Sequence, residues 1–136
     1  MRTSGLPEAV ELSPARELNP QEAAALELLH EMPLPAGARL RLEVPASGGT
    51  AVWLPGLGAF TLNFLEGARL ERLKRAGRGS EALVRAALRR SGERICDASA
   101  GLGRDALLLQ CCGAQVTMFE RHPVVWLLLH DALRHF

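Results

Sequence analysis

The sequence predicts an α/β fold: an N-terminal antiparallel meander with helices, followed by the opening β-α-β-α unit of a doubly wound parallel sheet. Three observations carry this. Leu40, Leu42 and Val44 alternate with Arg39, Arg41 and Glu43, the period of a half-exposed strand. Ser47-Gly48-Gly49 and Pro55-Gly56 are turn signals that divide the following apolar stretches into two more strands. From Arg94 onward the pattern changes to strand, glycine loop, helix, strand, turn and helix, with the short loops of a parallel sheet.

In chain order, residues 1–18 show no sustained period and read as an irregular lead-in. Asn19-Pro20-Gln21-Glu22 supplies an N-cap, a first-turn proline and a glutamate at N3, opening a helix to about Met32. Ala25, Leu28, Leu29 and Met32 share its apolar face, and Pro33 and Pro35 end it. Strands are expected at 40–44, Thr50–Leu54 and Ala59–Leu65. A helix from about Ala68 to Arg75 precedes the basic stretch Ala76-Gly77-Arg78-Gly79-Ser80, and Ser80 can cap a second helix to Arg90. Then come strand Arg94–Asp97, helix Arg104–Cys112, the Gly113 stop, strand Ala114–Glu120 and helix Pro123–His135. Two domains follow: 1–92, an α+β region with a basic helical segment at 66–92, and 93–136, the start of the doubly wound, Rossmann-like sheet.

The 136 residues suit a small globular protein, 48% hydrophobic and 23% charged. The longest unbroken apolar run, Val124 to Leu129, is far short of the roughly 20 residues of a membrane helix, so no membrane partner is expected. The first residues lack the apolar core of a secretion signal. Three cysteines, two of them adjacent at Cys111-Cys112, form neither a disulfide framework nor a CxxC knuckle. They read as small buried thiols of a cytoplasmic protein. His30, His122, His130 and His135 lack carboxylate or cysteine partners at ligand spacing, so no metal is expected. The net charge of +1 conceals an asymmetry: residues 66–94 alone carry +5.

The chemistry is concentrated in Asp97-Ala98-Ser99-Ala100-Gly101-Leu102-Gly103-Arg104-Asp105. A loop between a parallel strand and the next helix lies at the carboxyl edge of the sheet, where α/β folds bind ligands. Gly101 and Gly103 let the backbone turn and approach a ligand, and the helix start offers unpaired N–H groups. Glu120 ends the next strand, where a carboxylate can accept hydrogen bonds from both ribose hydroxyls of an adenosine. Gly101 to Ala106 also fits the G-x-G-x-x-A dinucleotide pattern, which keeps a nicotinamide-dependent oxidoreductase fragment open. Against that reading, Asp97 can meet an ammonium group such as that of S-adenosylmethionine, and a carboxylate at the helix start gives a pyrophosphate binder nothing. The bland alternative is a glycine turn with an aspartate cap and a solvated Glu120.

Asp97 to Ala106 (DASAGLGRDA) and Phe119 to Val125 (FERHPVV) resemble two motifs of the ribosomal RNA small subunit methyltransferase J family, which read close to DATAGLGRDA and LERxPVV. The resemblance extends back through Leu57–Leu88, covering about residues 57–136. Ser99 and Phe119 depart from the family pattern, as does Asn63, where the family tends to show aspartate. The resemblance implies a Rossmann-like class I fold and S-adenosyl-L-methionine as cofactor. It also implies methylation of a guanine N2 in 16S rRNA, with the rRNA or small ribosomal subunit as partner. Arg104-Asp105 and Glu120-Arg121 are then cofactor-contacting pairs, beside Asp97, Gly101 and Gly103.

Arg69, Arg72, Lys74, Arg75 and Arg78 can track an RNA backbone, with a solvated helix face as the plain alternative. Trp53 and Phe60 or Phe64 are expected to pack the meander, and Trp126 to pack a helix. His122 is expected to be a turn residue. Methyltransferases of this kind resemble one another in an Asp/Asn-Pro-x-aromatic loop after the fourth strand. Only Asn19-Pro20 has the preceding residue here, and it sits in a helix cap, so no catalytic residue is assigned. The expectation is a shortened N-terminal portion whose Ile95-Cys96 strand has an unpaired edge, open to self-association unless the meander or another subunit covers it. A non-catalytic RNA-binding remnant is the second reading.

Overall fold

A computed structural model describes residues 10–32, 37, 39–77, 79 and 81–136. The chain divides into two compact units, Met1–Asn63 with His122–Phe136, and Phe64–Arg121. The boundary placed at 92/93 from the sequence runs through the second unit. Segment 66–92 packs there with the glycine-loop strand, and the last helix packs in the first unit.

The first unit holds a four-stranded sheet in the order β1-β2-β3-β4, formed by β1 (Val10–Pro14), β2 (Leu40–Val44), β3 (Ala51–Leu54) and β4 (Gly58–Thr61). The antiparallel meander is present, with Leu42 opposite Val52 and Val52 opposite Phe60. The lead-in expected at 1–18 instead contributes a strand: β1 pairs parallel with β2, Leu12 opposite Leu42. Its only buried residue is Val10, so no alternation announced it. The lead-in's first nine residues, Pro33, Pro35, Arg78 and Ser80 lie outside the described residues.

Helix α1 (Pro20–Glu27) begins with the expected capping box: Asn19 Oδ1 accepts from the Glu22 amide and Glu22 Oε2 from the Asn19 amide, both at 2.9 Å. The last turn tightens to a 3₁₀ helix over Leu28–Glu31. That rotation leaves Leu28 half exposed, against its expected place on the apolar face, while Leu29 is buried. A last helix, running Pro123–Arg134, packs on α1. His122 is its N-cap, as a turn residue should be, with Nδ1 accepting a long 3.5 Å bond from the Val125 amide.

Two buried carboxylates tie this unit together. Glu22 accepts from both terminal guanidinium nitrogens of Arg16, Nη2 at 2.7 Å and Nη1 at 2.8 Å, besides its capping bond. Asp131, in the last helix, accepts from the Gly49 and Thr50 amides at 2.8 Å each and so pins the turn between β2 and β3. Removing it would strand two amides at roughly 1–3 kcal/mol apiece. Trp126 stacks on His130 one turn along the same helix, ring centroids 4.5 Å apart. Trp53 departs from expectation: it lies on the exposed face of β3 with the Arg41 guanidinium 5.6 Å over its ring, and does not pack the meander interior.

In the second unit, α2 (Gly67–Lys74) and α3 (Ala82–Ala87) precede β5 (Arg94–Asp97), α4 (Arg104–Cys111) and β6 (Gln115–Met118); the last helix of the chain is then α5. β5 and β6 are parallel, Arg94 opposite Gln115 and Asp97 opposite Met118. Val84, Leu88, Leu108, Leu109 and Ala114 form the core. α3 is shorter than expected because the backbone becomes extended at Leu88. Among the described residues β5 pairs with β6 alone. The cysteines are not the buried thiols expected: Cys96 and Cys111 are exposed and Cys112 half buried. Phe64, the first residue of this unit, is buried. No helix among the described residues is long and apolar enough to cross a membrane.

Bidentate pairing with Arg16 holds the Glu22 carboxyl at about 2, against an ordinary 4.5. A depressed carboxyl stabilises the fold fully above its unfolded value and loses that contribution as pH falls from about 4.5 toward 2. Glu22→Gln is therefore expected to lower unfolding free energy by roughly 2–3 kcal/mol at neutral pH. The deficit against the parent should shrink across that acid window, as read by urea melts at several pH values. A deficit independent of pH would mean that the ion pair is not its source.

Candidate functional site

The parallel β5–β6 ladder places the carboxyl ends of both strands at one edge, and the glycine loop joins β5 to α4 there. Three bonds fix its path. The Ala100 amide donates to the Phe119 carbonyl at 2.9 Å, and the Gly103 amide to the Ala100 carbonyl at 2.8 Å. The Gly101 amide donates to Glu120 Oε2 at 2.8 Å. Gly101 and Gly103 both have positive φ, +54° and +69°, and Gly103 is the N-cap of α4. A side chain at either position would carry the steric cost of the left-handed region.

Asp97 ends β5, and its Oδ1 accepts from the Ser99 amide at 3.1 Å, shaping the start of the loop. With Ser99, Ala100, Leu102, Arg104 and Asp105 it lines a cavity of about 670 Å³, within the ordinary range for small-molecule sites. Five of the expected cofactor residues are thus brought together: Asp97, Arg104 and Asp105 on the wall, with Gly101 and Gly103 forming the loop. Glu120 joins them by its bond to Gly101. Arg121 is exposed and does not line the cavity.

The couple read as Arg104-Asp105 is not a mutual ion pair. Asp105 instead pairs with Arg72 of α2 at 3.1 Å, and Arg72 also holds Glu81 through two nitrogens at 3.1 Å. Arg104 follows the positive-φ Gly103 at the exposed start of α4.

The basic segment sorts itself by partner. Arg69 and Arg72 sit three residues apart on α2 and line a second cavity, of about 590 Å³, together with Arg104. Lys74 pairs with Glu71 at 3.2 Å in solvent, and Arg75, beyond the helix end, is exposed. Sequence reasoning placed Arg104 only on the cofactor side. The spacing of Arg69 and Arg72 on one helix face was a signal for the second cavity; nothing in the sequence showed α4 facing it. Among the described residues no cluster of three or more His, Cys, Asp or Glu side chains is placed to hold a metal ion.

Residues 41–136 match the family model of SAM-dependent methyltransferases (SAM_MT). The chain is 42% identical over 117 residues to a ribosomal RNA small subunit methyltransferase J from Alkalilimnicola ehrlichii, covering 85% of this chain and 40% of that protein. It is 45% identical over 82 residues to the protein of the same name from Mannheimia succiniciproducens, covering 59% and 32% respectively. The chain therefore spans two fifths or less of the length of these relatives. A crystal structure of a SAM-dependent methyltransferase from Neisseria gonorrhoeae shares the fold, with a TM-score of 0.57 at 24% identity over 92% of this chain and 52% of that one.

Because Gly101 and Gly103 are held at positive φ, Gly101→Ala and Gly103→Ala are each expected to lower stability by about 1–2 kcal/mol in denaturant melts. Among the described residues beyond its chain neighbours, only the Ser99 carbonyl oxygen, at 3.9 Å, would meet a Cβ at Gly101, so the cost there is backbone strain. Two neutral substitutions would show that the loop takes another path.

Proposed function

Since the chain belongs to the SAM-dependent methyltransferase family, whose model it matches over residues 41–136, we propose that its β5–α4–β6 unit binds S-adenosyl-L-methionine for methylation of a guanine N2 in 16S rRNA. The observation that carries this reading is the meeting of two strand-end carboxylates at one loop. Asp97 opens the loop, and Glu120 holds it at Gly101.

The residues present fit the cofactor. Glu120, beyond the end of β6, is an acceptor for ribose hydroxyls. Asp97 offers a carboxylate to the ammonium of the methionine moiety, and the left-handed glycines keep the loop free of side chains at the ligand. Arg104 and Asp105 wall the cavity, with Asp105 held in place by Arg72. Arg121, exposed beside Glu120 and outside the wall of this cavity, would have to reach in from solvent for its guanidinium to stack on a bound adenine. When bound, S-adenosylmethionine supplies an electrophilic methyl group. Orienting the guanine amine needs further acceptors, and Asn19-Pro20 does not provide them here because Asn19 caps α1.

A nicotinamide dinucleotide fits less well. Its pyrophosphate would meet the Asp105 carboxylate in the first turn of α4, where the helix dipole favours the anion only if no like charge stands beside it.

The test is calorimetric titration of S-adenosylhomocysteine into the 136-residue chain. Saturable one-to-one binding is expected, with Glu120→Gln and Asp97→Asn each weakening it by about tenfold or more, the worth of one charge-assisted hydrogen bond. NADH should bind more weakly than S-adenosylhomocysteine. A folded sample that takes up no S-adenosylhomocysteine, or that prefers NADH, would overturn the assignment.

A further inference from the structure

The second cavity of the Phe64–Arg121 unit is not used by the cofactor reading, and its lining has a definite chemistry. Its apolar side is Phe64, Leu73 and Leu107, of which Phe64 and Leu107 are each only 2% exposed. Its polar side is Arg69, Arg72 and Arg104, with Glu66 as the one acid.

The three arginines are in different electrostatic states. Arg72 is neutralised by Glu81 and Asp105, so it serves as a fixed wall. Arg69 lines the cavity with its Nε buried and without a hydrogen-bond partner among the described residues. A buried donor left unmade carries an uncompensated desolvation cost, which marks this arginine as unsatisfied by the fold alone. Arg104 makes no ion pair among the described residues and lines the cofactor cavity as well. Two guanidinium groups beside an apolar wall, of which Leu73 is the half-exposed part, match a nucleotide: forked donors for the phosphate oxygens and an apolar edge for the base. Glu66 works against a bare anion and offers an acceptor to the N–H donors of a base.

We propose that this cavity seats one nucleotide of the RNA substrate, its phosphate on Arg69 and Arg104 and its base against Leu73, which the buried Phe64 and Leu107 back. Arg104 then marks where the RNA strand and the methyl donor adjoin. The seat rests on the reading of the chain as an RNA methyltransferase, and deepens it by separating one specific contact from the general basic surface.

The experiment is fluorescence anisotropy with a short guanine-containing single-stranded RNA and the 136-residue chain, competed by guanosine monophosphate or inorganic phosphate. Arg69→Gln is expected to weaken RNA binding by about five- to tenfold. Arg94→Gln, which removes the same charge from the exposed start of β5, should cost less than about twofold. Arg69→Lys, which keeps the charge but loses the fork, should fall between them. Guanosine monophosphate should compete better than inorganic phosphate. Titration of S-adenosylhomocysteine into the same proteins is expected to give equal affinities, so failure of the cofactor reading is seen separately from failure of the seat. Equal losses in Arg69→Gln and Arg94→Gln would overturn the seat, as would inorganic phosphate competing as well as the nucleotide.

Discussion

The parallel pairing of β5 with β6 is the constraint from which the candidate site follows. Parallel strands must be joined by a crossover, and here α4 provides it between Asp97 and Gln115. The crossover brings both strands to the same edge with the same polarity, so the residues that follow each strand become neighbours. Asp97 and Glu120 are far apart in sequence, yet both reach one loop through the Ser99 and Gly101 amides. The loop itself must leave β5 and enter α4 within a few residues, and the positive φ at Gly101 and Gly103 makes that turn. Register, turn chemistry and the acid pair are one arrangement, and a slip of the ladder would separate the two carboxylates.

Burial divides the acids of this protein into two kinds. Glu22 and Asp131 are almost wholly buried, and each carboxylate is answered by donors of its own unit: Arg16 and the Asn19 amide for one, the Gly49 and Thr50 amides for the other. A buried charge is tolerable only when so matched, and such groups serve the fold. Asp97, Asp105 and Glu120 are instead exposed or half buried at the edge of a cavity or loop. Asp97 accepts from one backbone amide and Asp105 from one arginine, which leaves acceptor capacity on carboxylates that can take several hydrogen bonds.

The sequence was most legible where local chemistry decides conformation. The Asn19 capping box, the Gly113 stop after α4, the meander turns and the strand Arg94–Asp97 all depend on residues near one another in the chain. β1 was missed because Val10 is its only buried residue; its partner β2 lies beyond α1, and no local pattern records a parallel pairing. Leu28 was misplaced because a regular helical period was extended into a turn that is 3₁₀. Trp53 and the exposed cysteines show the same limit, since composition gives a tendency to be buried and not the face on which a residue lands. At the site, the glycines and acids could be read directly. The Asp105–Arg72 bond could not, because it joins residues 33 positions apart.

That bond also changes what the basic segment means. Counted along the chain, residues 66–94 look like a continuous positive track for a phosphate backbone. In three dimensions much of that charge is answered within the same unit: Arg72 by Glu81 and Asp105, Lys74 by Glu71, and Arg85 directed to the Gly79 carbonyl. Net charge supports weak, salt-sensitive association, whereas selectivity needs donors held in a fixed place against a shaped surface. Arg72, clamped from two sides, gives α2 a rigid bond to the first turn of α4. Arg69 lies on the same helix, its Nε unpartnered among the described residues, beside the buried Phe64 and Leu107. The neutralised arginine thus fixes the wall on which an unneutralised one can act, and the shared Arg104 connects that wall to the loop where Asp97 and Glu120 converge.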